Sequence, residues 1–479
     1  MLPMLAAVAM QATSAMPNVV LILADDVGYG DLGCYGATLT KTPNIDAIAA
    51  DGIRFTDGHS PATVCTPTRY SLLTGRYSFR TGPGGGILSG VAPLAIEPER
   101  TTLPQMMKKA GYTTGIIGKW HLGLGVGKPD FNTEIKPGPR EVGFDYSFIL
   151  PATGDRVPCV YIEDGRVVGH DPTDPIEVSY GKKVGTDPTG KENPELLKIK
   201  PLVGHNDTIV NGVSRIGFMS GGNAARWVDE DMADTFTAKA TAFIEKNKDR
   251  RFFLFLPTHD VHAPLLPHPR WNGASQCGLR GDTLAQLDWT VGEVLRTLRE
   301  HGLSRNTLVV FTSDNGGVDN DGYADPRENL NGHKVNGALR GTKYTLYEGG
   351  HRVPFILSWP DRASIGKTSD ALVCQIDLMA SFASVVGQRL GSDEAPDSQD
   401  LGKALFDASE AGRESLALHL GGANSPVAYR EREWMLVPKR DGSFELFNLE
   451  DDLGQKEDLA AKHPEIVARL RAGLEKLRG

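Results

Sequence analysis

Residues Asn18–Asp26 read NVVLILADD, an unbroken apolar run from Val19 to Ala24 closed by two aspartates. A run that short, with no polar alternation, is the pattern of a strand buried on both faces, as in parallel α/β sheets. Further runs of this kind lie at 113–118, 251–256, 307–312 and 353–359, and the run at 307–312 closes on Ser313-Asp314-Asn315. Helical patterns fall between them. Residues 44–51 stop at Gly52, 102–110 at Gly111, and 283–301 at Gly302, while 233–247 is amphipathic. Strands alternating with helices predict an α/β fold, a large and mostly parallel sheet with helices on both faces. In such sheets chemistry gathers beyond the C-terminal ends of strands, where Asp25-Asp26 and Asp314-Asn315 stand.

Residues 122–230 lack periodicity and are rich in Gly, Pro and Asp, so they read as a loop-rich insertion within a catalytic domain spanning 17–390. Beyond that the pattern changes. Short antiparallel strands are predicted at 415–420, 427–430, 434–438 and 443–449, with an amphipathic helix at 464–477, making 391–479 a smaller α+β subdomain. Residues 1–16 (MLPMLAAVAMQATSAM) hold a short apolar run and a Thr13-Ser14-Ala15 segment like a cleavage site, without a positive n-region. They read as an export-signal remnant, which points to the periplasm or the exterior. No stretch approaches the ~20 apolar residues of a membrane helix, so no membrane insertion is expected.

The chain has 479 residues, 40% hydrophobic and 23% charged, which excludes disordered, collagenous and coiled-coil classes. Its net charge of −9 excludes broad attraction to nucleic acid or anionic membrane, so an anionic substrate needs a local cationic cluster or a metal. Five cysteines (Cys34, Cys65, Cys159, Cys277 and Cys374) are too few and too odd for a disulfide framework.

The most informative segment is Cys65-Thr-Pro-Thr-Arg69, followed by Leu72-Leu-Thr-Gly-Arg76. Cys65 can be a small buried hydrophobe, a thiolate lowered by Arg69, or a substrate for modification. The segment resembles the signature of the type I sulfatases, in the alkaline-phosphatase-like superfamily. The blocks 18–26, 28–36 (GYGDLGCYG), 42–55, 72–76, 115–123 (GIIGKWHLG), 312–316 (TSDNG), 339–354 (LRGTKYTLYEGGHRVP) and 445–449 (ELFNL) resemble that family's blocks in order.

The resemblance implies that a formylglycine-generating enzyme converts Cys65 to formylglycine. It implies Ca²⁺ held by Asp25, Asp26, Asp314, Asn315 and residue 65; five or six oxygens suit Mg²⁺ as well. One hydroxyl of the hydrated aldehyde, near Arg69, would attack sulfur, and the second would expel sulfate. Lys119 and Lys343 would neutralise sulfate oxygens, His121 would act as base, and His262, which precedes Ala263-Pro264, would protonate the leaving group. His259 is the alternative to His262. His333 and Lys334 are expected to touch the sugar or leaving group. Asp31 and Cys34 read as structural, and Trp120, Trp227, Trp271 and Tyr161 as core or rim.

The expected activity is hydrolysis of sulfate monoesters, on a sulfated small molecule or saccharide of galactose or N-acetylgalactosamine type. Alternatives are a metal-dependent phosphomonoesterase or phosphodiesterase of the same superfamily, or a non-catalytic carbohydrate-binding relative with unmodified Cys65.

Overall fold

The computed structural model describes residues 16–80, 86–202, 204–324 and 329–478. The expected export signal lies outside the described residues except for Met16. The apolar run before Asp25-Asp26 forms β1 (Asn18–Ala24), fully buried at the centre of a ten-stranded sheet. The other strands of this sheet are β2 (Ile53–Phe55), β3 (Thr113–Lys119), β4 (Tyr146–Leu150), β5 (Ile162–Glu163), β6 (Arg166–Val167), β7 (Phe252–Pro257), β8 (Thr307–Ser313), β9 (Phe355–Ser358) and β10 (Lys367–Ser369). Their spatial order is β10-β2-β9-β8-β1-β7-β3-β4-β5-β6. The central block β8-β1-β7-β3-β4 is parallel throughout. Antiparallel β9 and the β5–β6 hairpin make the sheet mixed.

Two helix groups flank the sheet. One contains α1 (Pro43–Ala50), α4 (Met232–Asn247) and α5 (Gly278–Glu300); the other contains α2 (Cys65–Thr74), α3 (Leu103–Lys109) and α6 (Leu378–Val385). Local chemistry explains several helix ends. α3 starts on a capping box in which Thr102 and Gln105 satisfy each other's backbone N–H groups. α2 ends on Gly75 in the left-handed region. The first N–H groups of α1 are taken by the Asp288 carboxylate of α5, a cap supplied across the fold.

Within 122–230, read from sequence as loop-rich, residues 146–150 are a full member of the parallel block. The run is five residues long, too brief for periodicity to mark it. The C-terminal strands β11 (Ser415–His419), β12 (Val427–Glu431), β13 (Trp434–Pro438) and β14 (Phe444–Asn448) form an antiparallel sheet in that order, covered by α7 (Pro464–Arg478). They bury their own cluster around Leu416, Leu418, Leu436 and Phe447. The expected α/β fold with a smaller antiparallel unit is therefore what the chain adopts.

Candidate active site

Register decides what meets what. Ala24 of β1 pairs with Ser313 of β8, and Leu23 pairs with Pro257 of β7. The residues just beyond these ends, Asp25-Asp26, Asp314-Asn315 and the 258–262 turn, therefore emerge side by side. Backbone bonds lock them: Asp314 N–H donates to Ala24 O at 3.0 Å, Asp25 N–H to Asp260 O at 3.1 Å, and Val261 N–H to Asp25 O at 2.7 Å. Lys119 ends β3, next to β7. The residue before it, Gly118, has φ +126°, and a Cβ there would lie 1.9 Å from Pro257 O, so only glycine lets the two strands close. Cys65 is the first residue of α2 and is buried.

The side chains form one ionic network, almost wholly buried. Lys119 Nζ donates to Asp25 Oδ2 at 2.5 Å. Arg69 donates through Nε and Nη2 to Asp314 Oδ2, at 3.0 and 2.8 Å, and through Nη1 to Lys119 O. Lys343 Nζ bridges Asp26 Oδ2 at 2.9 Å and Asp321 Oδ2 at 2.8 Å. Asn315 Nδ2 donates to Asp26 Oδ1 at 2.7 Å. His262 Nε2 lies 3.9 Å from Asp26 and 3.8 Å from Asp321.

Three buried acceptors here have no partner: Asp25 Oδ1, Asn315 Oδ1 and His121 Nδ1. Unpaired buried acceptors are costly, so three in one pocket mark a place built for something else to fill. Charge agrees. Asp25, Asp26, Asp314 and Asp321 face Lys119, Lys343 and Arg69, four carboxylates against three cations. Burial, then repulsion from Asp314, pushes the Asp25 carboxyl well above its ordinary range. Ligand atoms of Asp25, Asp26 and His262 lie within 4.8 Å of one another. A hard divalent cation fits this set: its oxygens are those of carboxylates and an amide, and one added ion turns a net negative pocket positive.

The surroundings of Cys65 separate its three possible roles. Burial raises its thiol above the usual range, although Lys119 and Lys343 pull the other way. A resting thiolate is therefore disfavoured. Its setting among charged groups is also unlike that of a structural cysteine. All five cysteines are free.

The two histidines near the network have their tautomers fixed by backbone carbonyls. His121 Nε2 donates to Leu88 O at 2.9 Å, leaving Nδ1 bare. Burial, then Lys119 and Arg156, holds His121 well below the ordinary imidazole range. His262 Nδ1 donates to Ala263 O at 2.7 Å, so its Nε2 is free to exchange a proton. Burial, then Lys343 and Lys119, lowers His262 as well. His259 is different: its Nε2 accepts Gly154 N–H at 3.0 Å, and burial lowers it to about 3.

His333 and Lys334 follow the aspartate loop. His333 Nε2 donates to Asp31 Oδ1 at 2.8 Å. Asp31 also receives Arg280, which in turn donates to Asp26 O at 2.8 Å. His333 thus braces the loop after the aspartates, and Lys334 beside it is exposed. Trp120 and Trp227 are core. Sequence reasoning missed Asp321, Asp155 and Arg156. Each lies in an unpatterned loop with no motif, and only tertiary contact brings it to the network.

The family model described as Sulfatase matches residues 17–388. An N-acetylgalactosamine-6-O-sulfatase of Bacteroides thetaiotaomicron is 46% identical over 482 residues, covering 97% of this chain and 94% of that protein. Human arylsulfatase A is 33% identical over 413 residues, covering 86% and 72%. A structure solved in work on glycosaminoglycan metabolism by Bacteroides thetaiotaomicron superposes with a TM-score of 0.93 at 46% identity, covering 97% of this chain and all of that one.

Proposed function

The chain belongs to the sulfatase family and hydrolyses sulfate esters, and we propose that its substrate is a sulfated carbohydrate of N-acetylgalactosamine type, attacked at a 6-O-sulfate. The likeness to the bacterial N-acetylgalactosamine-6-O-sulfatase, near full length in both chains, supports the substrate. Family membership removes the phosphoesterase reading.

The observation that carries the mechanism is the set of three unpartnered acceptors beside Cys65. Asp25, Asp26, Asp314 and Asn315 would hold Ca²⁺, with residue 65 as a further ligand. The ion would supply Lewis-acid neutralisation of sulfate oxygens. Formylglycine at position 65, installed by a formylglycine-generating enzyme, would supply an oxygen nucleophile where a buried thiol is protonated.

The remaining work falls to the chain's own side chains. Lys119 and Lys343 bind the anionic oxygens. Burial works to lower the Lys343 amine, but Asp26 and Asp321 outweigh it and keep it charged. Arg69 orients Asp314 and closes one wall. His121 presents bare Nδ1 as a proton acceptor, and its lowered pKa keeps that lone pair available. His262 delivers a proton from Nε2 to the departing alcohol. Burial first, then Lys343 and Lys119, depresses its free-state pKa, and a bound sulfate anion would offset the part that comes from the two lysines and favour the protonated form.

Among the described residues no helix is long and apolar enough to cross a membrane. An exported location is part of the proposal and rests on the N-terminal run. The test uses protein made in a host with formylglycine-generating activity. Sulfate release is compared across N-acetylgalactosamine 6-sulfate, its 4-sulfate isomer, galactose 6-sulfate and an aryl sulfate. A preference for 6-sulfated N-acetylgalactosamine is expected; equal turnover of the 4-sulfate would overturn it.

A further inference from the structure

The segment after β4 crosses between the two catalytic turns. His121 N–H donates to Pro151 O at 3.1 Å, and Gly154 N–H donates to His259 Nε2 at 3.0 Å. His259 and His262 share a turn, their rings 5.7 Å apart. A Cβ at Gly154 would lie 2.4 Å from His259 Nε2, so the segment sits directly on that ring. It carries Asp155 and Arg156.

The bonding of Arg156 is one-sided. Nη1 donates to both oxygens of Asp155, at 2.9 and 3.0 Å, and to Thr153 Oγ1 at 2.8 Å. Nε and Nη2 have no partner among the described residues. Other buried arginines spread their bonds: Arg69, Arg280 and Arg430 each donate through three nitrogens, and Arg215 through two. Asp155 has no capacity to spare, since it also accepts His205 Nε2 at 3.1 Å. The Arg156 side chain is 16% exposed and neither free nitrogen is among the sealed, unpartnered polar atoms, so the free half of its fork is reachable. The guanidinium is within electrostatic range of the pocket. It helps lower His121, and Cys65 and Tyr344 are among the groups that act on it.

A guanidinium held by one nitrogen, with Nε and Nη2 open, matches the paired oxygens of a carboxylate or sulfate. The scissile sulfate already has Lys119, Lys343 and the cation site. We propose that Arg156 is a second anion-recognition point, which binds a further negatively charged group on the saccharide, either a neighbouring uronate carboxylate or a second sulfate. This inference rests on the sulfated-carbohydrate reading above.

The test measures kcat/KM for wild type, Arg156→Gln and Arg156→Lys on three substrates. These are N-acetylgalactosamine 6-sulfate, its 4,6-disulfate, and a disaccharide joining the 6-sulfated sugar to a uronic acid. Wild type should prefer one of the two substrates with an added anion, and which one identifies the source of the charge. Arg156→Gln should lose about 10- to 100-fold on that substrate, the scale of a charge-assisted pair, so that the preference collapses. Arg156→Lys should keep part of it. Thermal midpoints are followed in parallel. Equal wild-type rates on all three, or an equal loss on all three in Arg156→Gln, would overturn the inference. Failure of wild type to desulfate any saccharide is a separate result, which overturns the carbohydrate reading itself.

Discussion

Two buried ionic clusters in this protein can be set side by side. One is the network around Asp25, Asp26 and Asp314. The other joins the main sheet to the C-terminal sheet. There His59 and His351 face each other through their Nδ1 atoms at 3.0 Å, His59 Nε2 meets Asp57 at 2.8 Å, and Glu348 lies beside them. Arg430 of β12 grips Asp57 with two nitrogens, and Arg352 reaches both Asp57 and Glu348. Both clusters contain three residues whose ligand atoms fall within 4.8 Å.

Their charges differ. In the second cluster, two carboxylates meet two guanidiniums, and apart from Glu348 Oε1 its carboxylate oxygens and imidazole nitrogens are all partnered. In the first, carboxylates exceed cations and three acceptors stand open. A self-neutral cluster serves to clamp two units together; one left negative with open acceptors is suited to receive a cation. Proximity of ligand-type atoms is therefore a weak guide, and charge balance with unpaired acceptors is a stronger one.

The contrast can be broken or sharpened experimentally. Cys65→Ala should reduce turnover by about 10⁴-fold or more while leaving the thermal midpoint near wild type. Substitutions in the second cluster should do the reverse, and comparable turnover losses from both would erase the distinction. Chelation should lower activity at least about 100-fold and also lower the midpoint. Returning Ca²⁺ at 100 times its Kd should restore about 2.7 kcal/mol of stability. A midpoint and a rate both indifferent to chelation would remove the case for a cation.

His262→Ala should cost about 10²- to 10³-fold on sugar sulfates, whose alkoxide needs a proton, and far less on nitrophenyl sulfate, whose leaving group does not. An equal loss on both would deny His262 the role of acid. Asp57→Asn leaves Arg352 and Arg430 buried beside a neutral amide and should destabilise by about 3–5 kcal/mol, read by urea unfolding, with kcat of the folded fraction retained.

The smallest effect concerns pH. Burial holds folded His351 near 3 against 6.5 when unfolded, although Glu348 opposes this. The unfolded chain thus binds more protons between those values, so stability is lost as pH falls from 6.5 toward 3. His351→Gln should flatten that slope by up to about 1.4 kcal/mol per pH unit. An unchanged slope would mean that the pair titrates otherwise.

Sequence and structure contributed different things. The strands at 18–24, 252–257 and 307–313 were legible because burial on both faces demands a local run of apolar residues. Asp25, Asp26, Asp314, Asn315, Lys119 and His262 were legible because each follows such a run or sits in a contiguous block. The strand at 146–150 was too short to announce itself. Asp321 and the cluster of Asp57, His59, His351 and Arg430 were invisible, since their partners stand up to 373 residues apart, and Arg156 was invisible because it lies in a loop with no motif.

The amino-acid order alone determined the fold class, the family resemblance and the residues at the strand ends. Only tertiary structure decided which of those residues share a pocket, which acceptors remain unpaired and which carboxylates find a cation. Strand identity is written in nearest neighbours, whereas charge balance and hydrogen-bond satisfaction are sums over groups that meet only when the sheet register is set.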